Sequence, residues 1–273
     1  MAAPRRWARV SLVGAVRDET VSPEVAALLI ARDARPELDI DAQLARLDEL
    51  AVGLRDLDAR EPVIQAAALA AHLHGTHGLR GNEDSYYDAR NSYLDEVLER
   101  RTGIPITLSV IYAAVGRRAG FQVDGVGFPG HFLARVGGLR GVLIDPFHGG
   151  RLVTPQALEH LGEQALGAPG RLRPEHLAAV GLRPLVVRML LNLKRAHEGR
   201  GDHARAMLIC DRLVDLTDAP PFRRDRGLHA LALGAHAQAR EDLDAYLAGA
   251  SDARDAPAVR AARRRAETGD WSS

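Results

Sequence analysis

The chain has 273 residues, 46% of them hydrophobic, which suits two modest domains with buried cores. Its 36 basic and 36 acidic side chains cancel to a formal net charge of zero, which argues against a generally basic nucleic-acid binder and against an acidic solvating chain. Nearly all the positive charge is arginine, with Lys194 the sole lysine; beside the abundance of Ala, Gly and Leu this reads as base composition rather than function.

There is one cysteine, Cys210, so an intrachain disulfide is impossible and a cysteine-based zinc site is not expected. The start, MAAPRRWARVSLVGAV, has a short apolar stretch followed at once by Asp18 and Glu19, without the core or cleavage site of a signal peptide. No window approaches 18 apolar residues, so no transmembrane helix is expected, and the cytoplasm is the expected compartment.

Residues 22–78 read as helical. Val25, Ala26, Leu28, Leu29 and Ile30 follow Pro23 at helical spacing, Leu38, Ile40, Leu44, Leu47, Leu50 and Leu54 continue it, and a third helix is expected over about 61–76. Residues 80–92 are polar and turn-rich and read as a loop. A helix follows from about Tyr93 to Arg101, ended by Gly103. The next, about 105–119, has Pro105 in its first turn and is apolar almost all round, as a buried helix is. After Gly120, FQVDGVG, HFLARV and GVLID read as a strand meander, which with the preceding helix implies an α+β lobe.

Residues 151–181 form a connector with helical pieces. From about 183 the chain is helical again and repeats itself: GDHARAMLICDRL from Gly201 aligns with GAHAQAREDLDAY from Gly234 at an offset of 33 residues. Ala204, Ala206 and Asp211 pair with Ala237, Ala239 and Asp244. The segment resembles tetratricopeptide repeats, helix–turn–helix units with small residues where helices cross. The tail 251–273 is expected to be a frayed helix.

Three strings stand out: NSYLDEVLERRTGIPITLS (91–109), GVGFPGHFLAR (125–135) and LIDPFHGG (143–150). Together they resemble the SirB1 family, a branch of the transglutaminase-like superfamily, over roughly residues 20–250. Ala89 departs from the family, which tends to place a proline between Asp88 and Arg90. The resemblance implies a transglutaminase-like (papain-like) α+β core at 81–165, after a helical N-terminal lobe (1–80) and before two tetratricopeptide-like hairpins (183–250) and the tail (251–273).

In active members of the superfamily a cysteine at a helix N-terminus is deprotonated by a histidine that an aspartate orients. By resemblance, His131 matches that histidine and Asp145 the aspartate. They lie 14 residues apart, on two strands joined by the turn at Gly137, Gly138 and Gly141. The cysteine position falls near Pro105, which has no nucleophile, and the covalent step is lost with it. Thr107 and Ser109 are the candidate replacements, although helical hydroxyls more often cap or bond to the preceding turn.

Asn91 reads first as a helix N-cap, and Arg100 and Arg101 as partners of Asp95 or Glu96, or else as anion ligands. Tyr87, Tyr93 and Phe128 are candidate cleft residues, along with Tyr86 and Asp88. His72, His74 and His77 form HLHGTH, but residues two apart face different sides of a helix, so a solvated or capping cluster is favoured over a metal site. His148 serves the turn after Asp145 or borders the same cleft. No third ligand beside His131 is evident, so neither metal nor cofactor is expected.

Two functions follow. One is a regulatory or protein-interaction module without thiol chemistry, binding a protein or peptide through its repeat helices, with no nucleic acid and no membrane. The other is a cysteine-independent hydrolase or amidase with His131 and Asp145 as general base.

Overall fold

The computed structural model describes residues 6–7, 9–57, 60–167 and 172–268. The N-terminal stretch, which reads as lacking a signal-peptide core, lies partly outside them. The chain divides into two compact units, one through Met189 and one from Leu190.

The first unit opens with four helices: α1 (Leu12–Arg17), α2 (Pro23–Ala34), α3 (Ile40–Arg55) and α4 (Pro62–Ala70). Their starts follow from the sequence. The Asp39 carboxylate accepts the Ala42 N–H at 3.1 Å to cap α3, and Pro23 and Pro62 occupy first-turn positions where a missing N–H costs nothing. The helix expected over 61–76 instead widens after α4 into a π-turn at Ala71–Thr76. His72 Nε2 lies 2.8 Å from Leu50 O and His74 Nδ1 lies 2.9 Å from Leu79 O, so these two histidines fasten the turn to its surroundings.

The expected loop at 80–92 contains a two-residue strand, β1 (Arg80–Gly81), paired in parallel with β2 (Thr102–Gly103). Between them lie a 3₁₀ turn (Ala89–Asn91) and α5 (Leu94–Arg100). α5 ends at Arg101 in the left-handed conformation, φ 58°, rather than at Gly103.

α6 (Pro105–Arg118) is buried at every position from Pro105 to Gly116, as its all-round apolar sequence predicts. It packs on α2 and α3 and on the first strands of the sheet. Leu108, Ile111 and Val115 are fully enclosed, each contributing about 1.5–3 kcal/mol of transfer free energy. Gly116 sets the helix–sheet distance, since a Cβ there would lie 2.5 Å from Val123 Cγ2.

The predicted meander is present as β3 (Val123–Val126), β4 (Leu133–Val136), β5 (Val142–Asp145) and a short β6 (Arg151–Leu152), antiparallel in sequence order. α7 (Pro155–Leu166) follows, capped by Thr154. Residues 177–180 then run along the outer edge of β3, where Val180 N–H donates to Gly125 O at 2.9 Å.

α8 (Leu182–Glu198) begins in the first unit, and its second half opens the other. The second unit continues with α9 (His203–Thr217), α10 (Pro220–Ala232), α11 (His236–Gly249) and α12 (Ala256–Thr268). The 33-residue offset is visible in α9 and α11, which start at His203 and His236 after turns where Gly201 and Gly234 take φ of 67° and 75°. Ala206 and Ala239, equivalent in the repeat, are fully buried. The tail is not frayed over its described residues. Val259, Ala262 and Ala266 of α12 pack on Leu243 and Tyr246 of α11.

Candidate functional site

The β4–β5 hairpin builds the site. Its turn requires glycine: Gly137 and Gly138 have φ of 93° and 70°, and a Cβ at Gly141 would lie 1.9 Å from Val136 O. The tight turn holds β4 and β5 in register, with Ala134 opposite Ile144 and Val136 opposite Val142. Asp145 therefore ends β5 close to the turn that precedes β4, where His131 lies.

Asp145 is fully buried. Oδ1 caps the 3₁₀ turn Pro146–His148, accepting the Phe147 N–H at 3.1 Å and the His148 N–H at 3.4 Å. His131 Nε2 lies 3.0 Å from Oδ1, and His148 Nδ1 lies 2.7 Å from Oδ2. The His148 contact is a hydrogen bond. In the His131 contact the oxygen lies off the ring N–H direction, so the pair is close without being an aligned bond, and His131 Nε2 has no other partner. Burial pushes the Asp145 carboxyl up. The two imidazoles outweigh burial and hold it below the ordinary aspartate range. Arg151 is a more distant neighbour, 3.9 Å from Oδ2 and largely exposed.

The His131 turn is held from α8. The Arg188 guanidinium donates to Phe128 O at 3.1 Å and to His131 O, and stacks 5.3 Å from the Phe132 ring centroid. Burial pushes the Arg188 pKa down, against the field of Tyr86. A line of edge-on rings leads outward, with His131–Phe147 at 6.3 Å, Phe147–Tyr86 at 5.9 Å and Tyr86–Tyr87 at 5.3 Å. From α6, Tyr112 places a buried hydroxyl without a partner, and burial together with the Asp145 charge pushes its pKa up.

The structure brings together only part of the expected set: His131, Asp145 and, through the ring line, Tyr87. Asn91 is not a helix N-cap, a position Tyr93 occupies. Its amide donates to Ser85 O and Tyr86 O at 2.8 and 3.2 Å, closing the preceding loop. Arg100 reaches Asn91 Oδ1 at 3.4 Å and does not pair with Asp95, whose carboxylate takes both arms of Arg35. Tyr93 lies buried under that same guanidinium, 4.7 Å away. Phe128 is fully buried in a cluster with Val126 and Leu133 and does not line a cleft.

Neither replacement hydroxyl is free. Thr107 Oγ1 accepts the Ile104 N–H at 3.2 Å and lies 2.7 Å from Asn91 O. Ser109 Oγ is buried, 3.5 Å from Phe132 O. Cys210 belongs to the other unit, buried, its thiol pushed up to about 12 chiefly by desolvation. His148, which the sequence places either in the turn after Asp145 or at the border of the cleft, does both: it belongs to that turn and bonds the Asp145 carboxylate. Tyr112 and Arg188 escape the sequence reading, Tyr112 because it is one more apolar-face residue of a buried helix and Arg188 because its helix reads as part of the repeat.

Among the described residues no helix is long and apolar enough to cross a membrane. The pattern of the Transglutaminase-like superfamily matches residues 41–191, and that of the Tetratricopeptide repeat matches 193–264. A "UPF0162 protein" of Xylella fastidiosa (strain 9a5c) is 39% identical over 241 residues, 85% of each chain. Another of that name from Vibrio cholerae is 28% identical over 230 residues, 81% of this chain and 83% of that one. F-box only protein 21 of Homo sapiens is 30% identical over 203 residues, 64% of this chain and 31% of that protein. No solved structure matches. By the span of the first match and the extent of these similarities, the chain belongs to the transglutaminase-like superfamily, in its SirB1 family, with tetratricopeptide repeats following the core.

Proposed function

We propose that the chain is a protein-interaction or regulatory module whose transglutaminase-like core works without a thiol, and which takes a protein or peptide segment through its repeat helices in the cytoplasm. The observation that carries this reading is Pro105 at the first position of α6, where the resemblance calls for the cysteine. The engaged Thr107 and the buried Ser109 support it.

In the second unit, Lys194 of α8 pairs with Asp225 of α10 at 2.8 Å, and His229 with Glu198 at 3.1 Å. Leu191 stands one turn before Lys194 and Leu228 one turn after Asp225, 40% and 37% exposed. They offer apolar purchase for a partner segment. Peptides selected by display against the full chain are expected to bind a folded His131→Ala variant normally and a Leu191→Asp/Leu228→Asp variant weakly.

A second reading, a general base without a covalent intermediate, is favoured by the buried Asp145 beside His131. Screening amide and ester substrates with wild type and His131→Ala tests it. Equal rates for the two proteins would rule it out.

A further inference from the structure

We propose that His131, Asp145 and His148 form a binding site for a divalent transition ion of the zinc class. One nitrogen from each histidine and one carboxylate oxygen lie within 4.8 Å of one another. Among the described residues no other group of three such side chains meets that spacing. Zinc holds nitrogen and oxygen ligands at about 2.0–2.2 Å, so neighbouring donor atoms around a tetrahedral ion stand about 3.3 Å apart. The 3.0 Å contact of His131 and the 2.7 Å contact of His148 fall on the two different oxygens of one carboxylate, so an ion seated among the three side chains would draw these donor pairs apart toward that separation. Two imidazoles with one carboxylate favour a zinc-like transition ion over magnesium or calcium, which prefer oxygen ligands.

Three features beyond the spacing point the same way. His131 Nε2 is enclosed beside the Asp145 carboxylate and has no aligned partner, so its donor capacity is not taken up by a hydrogen bond. The ligands are braced from behind: backbone N–H groups hold Asp145, and Arg188 holds the His131 carbonyl, as outer contacts orient metal ligands. His148 is 35% exposed, which gives an ion a way in. Three protein ligands also leave a coordination position open.

Among the described residues Arg151 is the cation paired with the carboxylate, 3.9 Å from Asp145 Oδ2 but 62% exposed and able to turn to solvent. The site's existence does not depend on whether the repeat helices bind protein.

The test is a titration of the chelator-stripped full chain with cobalt(II), followed by displacement with zinc(II). One equivalent is expected, with the intense visible bands of low-coordinate cobalt that zinc abolishes. His148→Ala, at a half-exposed position, keeps the fold by circular dichroism and weakens binding by at least about tenfold, as loss of even an outer partner does. Arg151→Gln tightens it, an effect that a purely structural carboxylate–imidazole cluster does not produce. His72→Ala, in the distant turn, leaves binding unchanged. Weak aquo-like bands, or equal binding by wild type and His148→Ala, would mean an adventitious ion only and overturn the proposal.

Discussion

His148 takes Oδ2 of Asp145 at 2.7 Å, leaving Oδ1 to approach His131 at 3.0 Å. One buried carboxylate thus stands between two imidazoles and two backbone N–H groups, and the contributions of the partners to stability are unequal. His148→Ala removes a half-exposed partner and is expected to cost about 1 kcal/mol. Asp145→Ala strands the Phe147 N–H and both imidazoles and is expected to cost about 3 kcal/mol. Urea midpoints rank them, and a larger loss for His148→Ala would count against this geometry.

Arg188 reaches from α8 to carbonyls on both sides of the turn that presents His131. Arg188→Ala is expected to destabilise the first unit by about 2 kcal/mol, because two charge-assisted bonds go and two carbonyls lose their donor. It is also expected to move the His131 imidazole resonances in NMR spectra. A stability loss with those resonances unmoved would show that Arg188 packs but does not position.

The buried helix α6, the meander and the repeat offset were legible because each rests on periodicity: apolar all round, alternating short runs, and self-similarity at a fixed spacing. His131 and Asp145 were legible only through the family resemblance. The neighbours were not, because their partners are fixed in three dimensions. Asp95 chose Arg35 from a distant helix over Arg100 on its own, and Asn91 spent its amide on the loop it closes instead of on a helix start. Phe128 precedes the conspicuous GHF string yet points into the core, where no spacing rule distinguishes it from a cleft residue.

Glu24 gives a pH-dependent test of the core. Burial raises its carboxyl, but Arg117 and Arg118, each 2.9 Å away, outweigh burial and hold it below its ordinary value. A group depressed in the folded state stabilises the fold above its unfolded pKa, and that stability is lost as pH falls through the folded pKa. Glu24→Gln is therefore expected to cost about 2 kcal/mol at neutral pH. The gap to wild type should narrow as pH drops below 4.5, the unperturbed glutamate value. A gap independent of pH in urea titrations would contradict the ion-pair account.

In the second unit Arg226 bridges Asp211 and Asp242, at 2.5 and 2.7 Å, and Asp242 is 1% exposed. Arg226→Met leaves a buried carboxylate facing Gln238 alone and is expected to cost about 3 kcal/mol. Calorimetry of the full chain should show the loss, and an additional Asp242→Asn change should recover part of it. No recovery would mean that the arginine's packing matters more than its charge.

The proposed function has the chain working by binding and not by thiol chemistry. The most direct measurement is the affinity of display-selected peptides for wild type, His131→Ala and Leu191→Asp/Leu228→Asp, each confirmed folded. The account predicts unchanged affinity for His131→Ala and at least about a tenfold loss, roughly 1.4 kcal/mol, for the double variant. Affinity lost in His131→Ala and kept in the double variant would contradict it.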